Sequence, residues 1–366
     1  MEDALLQRLE VLTVEDPALG YRALHAKLKQ EDEFKTVSLK KVQSAVQQLR
    51  QEPRKGGLAD AGPPLFSVSD DGSLREWSGQ GEQLRAFQGA GGVQCVEVTE
   101  DLIIAGDSSG LLRFWSRASG EVLRDIQVAN KYVKALAVVG ESVFTGDYCN
   151  LVQEWNLMSG KKEATFKGHK AGIVSLAVRG DYVLAGGGDG AVLLFDRRAA
   201  KPDDAGEMVG EPAALLYKAN GFVCSIVLAD DRVLLPDRDE HKAVSIRLFS
   251  HTGEVVPENI RDKRTYKCGM PVWQAAAADS FVYGLCRDFT VKKFAAGSRQ
   301  LLLTISVTAI TKEAKNPYAL KVQGDRIFVG YISSGEIAVF STEDGKRQLE
   351  KAFVGHRGTV NSFCCG

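Results

Sequence analysis

Apolar residues in this chain occur in short strand-like runs that alternate with turns rich in glycine and aspartate. A large aromatic residue closes one such run in each repeat of the pattern. These residues are Trp77, Trp115, Trp155, Phe195, Phe249, Phe294 and Phe340. Their spacing of 38 to 54 residues brackets the roughly 40–45-residue period of a four-stranded repeat unit, and the longer steps accommodate insertions. The pattern therefore predicts seven all-β units over residues 65–366.

The two ends of this repeat region are complementary. The first unit begins at Leu65 and has no segment before it that could serve as its inner strand. The last eleven residues, from His356 onward, match the segment His169–Arg179 position for position, with Ser362 falling on Ser175. We therefore expect a C-terminal strand, 357–365, to complete the first unit and remove an open sheet edge.

Short motifs around these strands identify a family resemblance. Gly-His dipeptides occur at 168–169 and 355–356, and Asp-Gly turns occur at 69–72 and 187–190. With these motifs the chain resembles a WD-repeat β-propeller over residues 64–366. The resemblance implies an all-β, seven-bladed propeller in which the C-terminal strand 357–365 closes blade 1.

The same resemblance implies a hydrogen-bonded set of four residues: a His before the inner strand, a Ser or Thr, a turn Asp and a Trp. Blade 1 carries the whole set, which we call the seam tetrad: His356, Ser67, Asp71 and Trp77. Blade 4 keeps only His169 and Asp189 of the corresponding residues. Each unpaired buried polar group would cost roughly 1–3 kcal/mol, so we expect the complete set to stabilise the seam.

Residues 1–52 have a helical pattern instead, and the Gly/Pro-rich stretch 53–64 is a predicted linker. Apolar residues at helical spacing predict three helices, and residues 17–51 weakly resemble a helix-turn-helix DNA-binding unit. Ten basic and nine acidic residues precede position 56, whereas DNA-binding modules are usually far more basic. The balance favours a small all-α protein-docking domain, and binding to DNA or RNA stays open as the alternative.

Composition restricts the class of function. The chain has 46 basic and 47 acidic residues, so no overall field attracts nucleic acid or membrane. No apolar run is long enough for a membrane span. Seven cysteines without regular spacing and five dispersed histidines predict neither a disulfide framework nor a metal site. We expect no cofactor, metal, small-molecule substrate or catalytic group, and cytoplasmic residence, with the nucleus as the alternative.

A binding surface is therefore the expected functional element. Large aromatic residues near the start of the inner strands are typical partner anchors when exposed. The candidates are Phe222, Trp273, Tyr318 and Tyr132. A basic cluster in the long connection 251–271 is a second candidate, for acidic or phosphorylated motifs. Its members are Arg261, Lys263, Arg264 and Lys267.

These observations predict a non-enzymatic scaffold that holds protein or peptide partners of a multiprotein complex on one rim of a ring. The alternative is a nucleic-acid-associated adaptor, in which the helical unit contacts DNA or RNA and the propeller recruits partners.

Overall fold

A computed structural model describes most of the chain. The described residues are 21–29, 34, 37–38, 40–42, 63–237, 240–250, 253–257, 260, 262–309, 316–348, 353 and 355–365. The N-terminal part includes one helix, α1 (Tyr21–Leu28), and residues 40–42 are also helical. Here four apolar side chains are buried, namely Leu28, Phe34, Val37 and Val42. The helix expected before Leu12 and most of the predicted linker lie outside the described residues.

Within the described residues, 29 strands follow. The first two blades use β1 (Leu65–Ser69), β2 (Ser73–Trp77), β3 (Gln83–Gln88), β4 (Val93–Val98), β5 (Leu102–Asp107), β6 (Leu111–Ser116) and β7 (Val122–Gln127). Blades 3 and 4 use β8 (Val133–Val139), β9 (Ser142–Asp147), β10 (Val152–Asn156), β11 (Lys162–Phe166), β12 (Ile173–Arg179), β13 (Tyr182–Gly187), β14 (Ala191–Asp196), β15 (Lys201–Pro202), β16 (Met208–Gly210) and β17 (Ala214–Lys218).

The remaining strands build blades 5 to 7 and the closure. They are β18 (Val227–Ala229), β19 (Arg232–Asp237), β20 (Lys242–Arg247), β21 (Lys263–Lys267), β22 (Val272–Ala278), β23 (Phe281–Cys286), β24 (Thr290–Ala295), β25 (Leu301–Ser306), β26 (Pro317–Gln323), β27 (Arg326–Tyr331), β28 (Ile337–Ser341) and β29 (Val360–Cys365). Seven sheets result, one per blade, and blade 7 has three named strands in its described part.

The predicted closure is confirmed. Strand β29 pairs antiparallel with β1, so blade 1 has the order β29-β1-β2-β3. Ser362 lies opposite Val68, as Ser175 lies opposite Gly186 in blade 4, which is the register expected from the sequence match. The strand begins at Val360, slightly later than the predicted 357.

At four of the described junctions, neighbouring blades meet where an apolar residue near the start of an inner strand packs against a glycine. Val133 of blade 3 lies against Gly106 of blade 2, where an added Cβ would come within 2.6 Å of its Cγ1. Ile173 and Val360 are placed in the same way against Gly146 and Gly330. Because β-branched side chains fill this narrow space and are fully buried, the inner strands can approach closely around a central channel.

Basic side chains also link successive blades. At six of the seven junctions an Arg or Lys of one blade donates to a backbone carbonyl of the next. These bonds run from Arg85 to Arg117 O, Arg124 to Met158 O, Arg179 to Asp230 O, Arg264 to Ala296 O, Lys293 to Thr342 O and Arg326 to Gly79 O. At the junction of blades 3 and 4, Arg197 pairs with Glu154.

Two sequence expectations about blades 4 and 5 were wrong. In blade 5 the aromatic position is held by Ile246, which pairs with Val233 as Phe195 pairs with Val183 in blade 4. Phe249 lies three residues later, beyond β20, and is fully buried against Tyr182. The sequence pattern also predicts a long connection over residues 197–216, outside the repeat, but this segment contains two short strands. Its hairpin β15–β16 joins the outer edge of blade 3, where β16 pairs parallel with β11.

Candidate functional site

The central channel contains a cavity of about 510 Å³ lined by all seven inner segments. One residue of each segment occupies the same register near the end at which these strands begin, which we call the entrance. Around the ring these residues are Asn361, Gln94, Lys134, Val174, Cys224, Trp273 and Tyr318. Blades 1 to 3 thus contribute polar side chains, and blades 6 and 7 contribute aromatic ones.

Further aromatic residues surround this entrance. Phe222 is 49% exposed, Tyr132 is 44% exposed and Tyr148 is 40% exposed. The rings of Tyr132 and Tyr148 lie 5.4 Å apart, and those of Trp273 and Tyr318 lie 6.3 Å apart, both in tilted arrangements. The structure therefore brings the four predicted aromatic candidates to one mouth of the channel, together with Tyr148.

Alignment of the sequence with Ile173 predicts Phe222 and Tyr318 at the first inner-strand position, and this register is wrong by one residue in both cases. The buried position that faces the neighbouring blade is held by Val223 and Pro317 in blades 5 and 7. Phe222 therefore precedes it, and Tyr318 follows it into the channel, in line with Trp273. In blade 5 the physical reason is space, because Val223 packs against Gly186 of blade 4 and a large ring would not fit there.

A polar network fixes the other side of the entrance. Lys134 Nζ lies 2.7 Å from Gln94 Oε1, 3.5 Å from Asn361 Oδ1 and 5.5 Å from the centroid of Tyr318. The amide nitrogens of Gln94 and Asn361 each donate to Asp70 Oδ1 at 2.8 Å. A chain of hydrogen bonds thus runs from an exposed carboxylate at the rim to an ammonium group in the channel.

The opposite end of the channel, the exit, has a second polar group of residues. Glu97, Lys321 and Cys364 occupy equivalent positions in blades 2, 7 and 1, and Cys364 Sγ lies 3.9 Å from Glu97 Oε2. Burial raises the pKa of Glu97 to about 7, although Lys321 and Cys364 act to lower it. The carboxyl group therefore titrates near neutral pH.

The predicted basic cluster is not a single patch. Residues 263–267 form β21, the outer strand of blade 5, and not an irregular connection. Because side chains alternate along a strand, Lys263 and Lys267 lie on one face and Arg264 on the other. Arg264 donates to Ala296 O in blade 6. Arg261 lies outside the described residues.

The four residues of the seam tetrad are brought together. Trp77 Nε1 donates to Ser67 Oγ at 2.7 Å, and this oxygen lies 2.7 Å from His356 Nε2. On the other side of the ring, His356 Nδ1 is 3.5 Å from Asp71 Oδ2 and 2.9 Å from Ser73 Oγ. Ser73 also donates to Asp71 at 2.7 Å.

Ser73 is the member that sequence reasoning missed, because serine is common in turns for backbone reasons. A neutral His356 satisfies this set in the tautomer whose Nε2 accepts from Ser67 and whose Nδ1–H donates to Ser73. Burial lowers the pKa of His356, and Asp71 only partly opposes this. Burial also raises the pKa of Asp71, but hydrogen bonds from His356, Ser73 and the Arg357 backbone outweigh it and hold that pKa below its ordinary value.

Blade 4 uses its histidine differently. His169 Nδ1 lies 3.2 Å from both oxygens of Asp189, and Nε2 lies 3.1 Å from Ala185 O. Ala185 and Phe195 stand where blade 1 has Ser67 and Trp77. Both partners of His169 are acceptors, so no hydroxyl links this ring to a tryptophan.

The described residues lack two features that would suggest another class of function. They contain no group of three or more His, Cys, Asp or Glu side chains placed to hold a metal ion. Nor do they include a helix long and apolar enough to cross a membrane.

Comparison with known proteins agrees with this architecture. Residues 160–196 match the WD40 family model described as WD domain, G-beta repeat. No curated protein matches the chain. Among solved structures, the computationally designed protein Ika8 aligns with a TM-score of 0.61 at 18% identity, covering 83% of this chain and 88% of that one.

Two natural propellers align similarly. The WD40 β-propeller domain of Doa1 has a TM-score of 0.57 at 14% identity and covers 74% of this chain and 84% of its own. The WD40 repeats of RRP9 have a TM-score of 0.59 at 15% identity and cover 74% and 82%. The chain thus has the seven-bladed fold of WD40 propellers, and the resemblance found in the sequence is confirmed at the level of fold and repeat. The helix-turn-helix resemblance stays a prediction.

Proposed function

We propose that this protein is a non-enzymatic scaffold that binds protein or peptide partners at the entrance of its channel. The observation that carries the proposal is the group of five aromatic side chains around one mouth, three of them at least 40% exposed. Clustered aromatic residues beside a concave surface are the usual anchors of protein interfaces. WD40 propellers are in general protein-interaction scaffolds, which supports the same assignment.

The test is partner capture from the source cell by variants carrying Phe222→Ala, Trp273→Ala or Tyr318→Ala. Truncating a hot-spot residue typically costs about 2 kcal/mol or more of binding, or about thirtyfold in affinity. Leu301→Ala and Leu215→Ala are controls matched to Phe222→Ala, because these side chains are also about half exposed but lie on outer strands. Unchanged capture by all three channel variants, with folding intact, would refute the entrance as the site.

A further inference from the structure

Lys134 brings a positive charge into the entrance, and its hydrogen-bond partners are neutral. Lys134 Nζ contacts two amide oxygens and the face of Tyr318. No carboxylate oxygen in the described part of the chain lies within salt-bridge distance of it. An ammonium group has three N–H donors, so one is left without an assigned acceptor among the described residues.

Lys134 is also held in place before any ligand arrives. The side-chain amide nitrogens of Gln94 and Asn361 each donate to Asp70, and they also donate to the backbone carbonyls of Gly92 and Val93. These bonds orient both amide oxygens toward Lys134. Desolvation lowers the pKa of Lys134, and Tyr148 and Asp70 offset this only in part. A charged group in such surroundings gains most from a partner of opposite charge.

Two cavities meet at this residue. The channel cavity and a shallower rim cavity of about 420 Å³ share Gln94, Lys134, Tyr318 and Asn361. A ligand entering from the rim therefore reaches Lys134 beside Tyr148 of the same blade, with Phe222 of blade 5 and Trp273 of blade 6 on other parts of the wall. The site combines one cation with an apolar, aromatic surface.

We propose that the entrance recognises an acidic side chain of the protein partner, with its carboxylate on Lys134 and an adjacent apolar residue against Trp273 and Phe222. This inference rests on the proposed function and names the chemistry of the partner. A single lysine matches the single charge of an Asp or Glu carboxylate. Phosphate recognition typically uses arginine forks or several cations, and the other described cation of the channel lining, Lys321, lies at the exit near Glu97.

The experiment uses a phage library that displays short random peptides. The full chain and two variants each serve as the immobilised bait for selection from this library. Lys134→Gln removes the proposed contact, and Lys131→Gln is the matched control because it removes an exposed charge from the same rim segment. We expect the wild type and Lys131→Gln to enrich peptides with an acidic residue next to an aromatic or aliphatic one. Lys134→Gln should lose the acidic preference and keep the apolar one.

A direct measurement then compares the binding of a selected peptide with that of its Glu→Gln counterpart. Binding is measured by the change in tryptophan fluorescence. Trp273 is the tryptophan of the channel, and Trp77, Trp115 and Trp155 are buried elsewhere. The Glu→Gln change should weaken binding to the wild type about tenfold and leave binding to Lys134→Gln unchanged. Because this change is made in the peptide, the result does not depend on the folding of a protein variant.

The contrary outcomes separate the two proposals. Selection of peptides without acidic preference, abolished by Phe222→Ala, would refute the carboxylate inference and leave the scaffold function standing. Tighter binding of a phosphoserine peptide than of its glutamate form would also refute it. Selection of no peptide, together with Lys134-dependent binding of a single-stranded oligonucleotide, would overturn both.

Discussion

Blades 1 and 4 both have a histidine before the inner strand, but this histidine joins nearby residues in blade 4 and distant parts of the chain in blade 1. In blade 4, His169 bonds to Asp189, 20 residues away in the same hairpin region. In blade 1, His356 bonds to Ser67, 289 residues away. The first arrangement fixes a local turn, whereas the second joins the two ends of the propeller domain. The same repeat motif therefore helps to close the ring only in blade 1, where the first and last strands of the propeller pair.

Removal of β29 should have the largest effect on folding. Truncation after Gly355 deletes the inner strand of blade 1, including Val360 and its packing against Gly330. We expect no soluble, cooperatively melting protein, as measured by circular dichroism and calorimetry. A cooperative transition near that of the full chain would contradict closure by this strand.

The two histidines should differ next. We expect His356→Ala to cost about 3 kcal/mol, because Ser67, Ser73 and Asp71 each lose a partner in a buried site. His169→Ala should cost about 1 kcal/mol, since no hydroxyl-to-tryptophan link depends on it. Urea unfolding of both variants measures the difference, and equal losses would mean that the seam tetrad adds nothing to the common motif.

His356 should make the stability of the protein depend on pH. The ordinary pKa of histidine is about 6.5, and that of native His356 lies below it. At a pH between these two pKa values, His356 is protonated in the unfolded chain but not in the native one. The free energy of unfolding therefore falls as the pH drops below about 6.5. The His356→Gln variant should lose this part of the pH dependence.

Glu97 should act in the opposite direction. Its native pKa of about 7 exceeds the value of about 4.3 expected in the unfolded chain, so stability falls as pH rises between these values. Glu97→Gln should therefore gain stability relative to the wild type, by about 3 kcal/mol on going from pH 4 to pH 8. Unfolding free energies at several pH values would show this, and parallel curves would refute the raised pKa.

The smallest expected difference concerns the basic side chains that link blades. Arg326 of blade 7 donates to the backbone carbonyl of Gly79 in blade 1, 247 residues away along the chain. Arg124 joins blades 2 and 3, which are also connected directly by the chain. We expect Arg326→Met to cost about 1 kcal/mol and Arg124→Met about half as much. Thermal melting compares them, and the reverse order would show that chain continuity does not matter.

Much of the fold followed from local pattern. The closing strand was predictable because the match between residues 356–366 and 169–179 fixes a register as well as an element. The assignment of Phe249 failed because any aromatic residue near a strand end satisfies the pattern, and only pairing shows that Ile246 holds the position. The hairpin β15–β16 was missed because its parallel contact with β11 is long-range and leaves no local signature.

The candidate site was predictable in location more than in composition. Phe222, Trp273 and Tyr318 were found because large aromatics are unusual near the start of inner strands. Tyr148 was missed because it lies in a turn, outside the strand register. Lys134 was missed because a lysine on a strand looks like any solvated residue until the other six channel positions are known.

The closing strand also sets a waiting time. Ser67 is synthesised 289 residues before its partner His356, which at roughly 5–20 residues per second amounts to about 15–60 s. Throughout that interval β1 has no inner neighbour, however well the other blades have formed. Completion of the ring is therefore a late event in the life of each new molecule, and its timing depends on translation speed as much as on the stability of any blade.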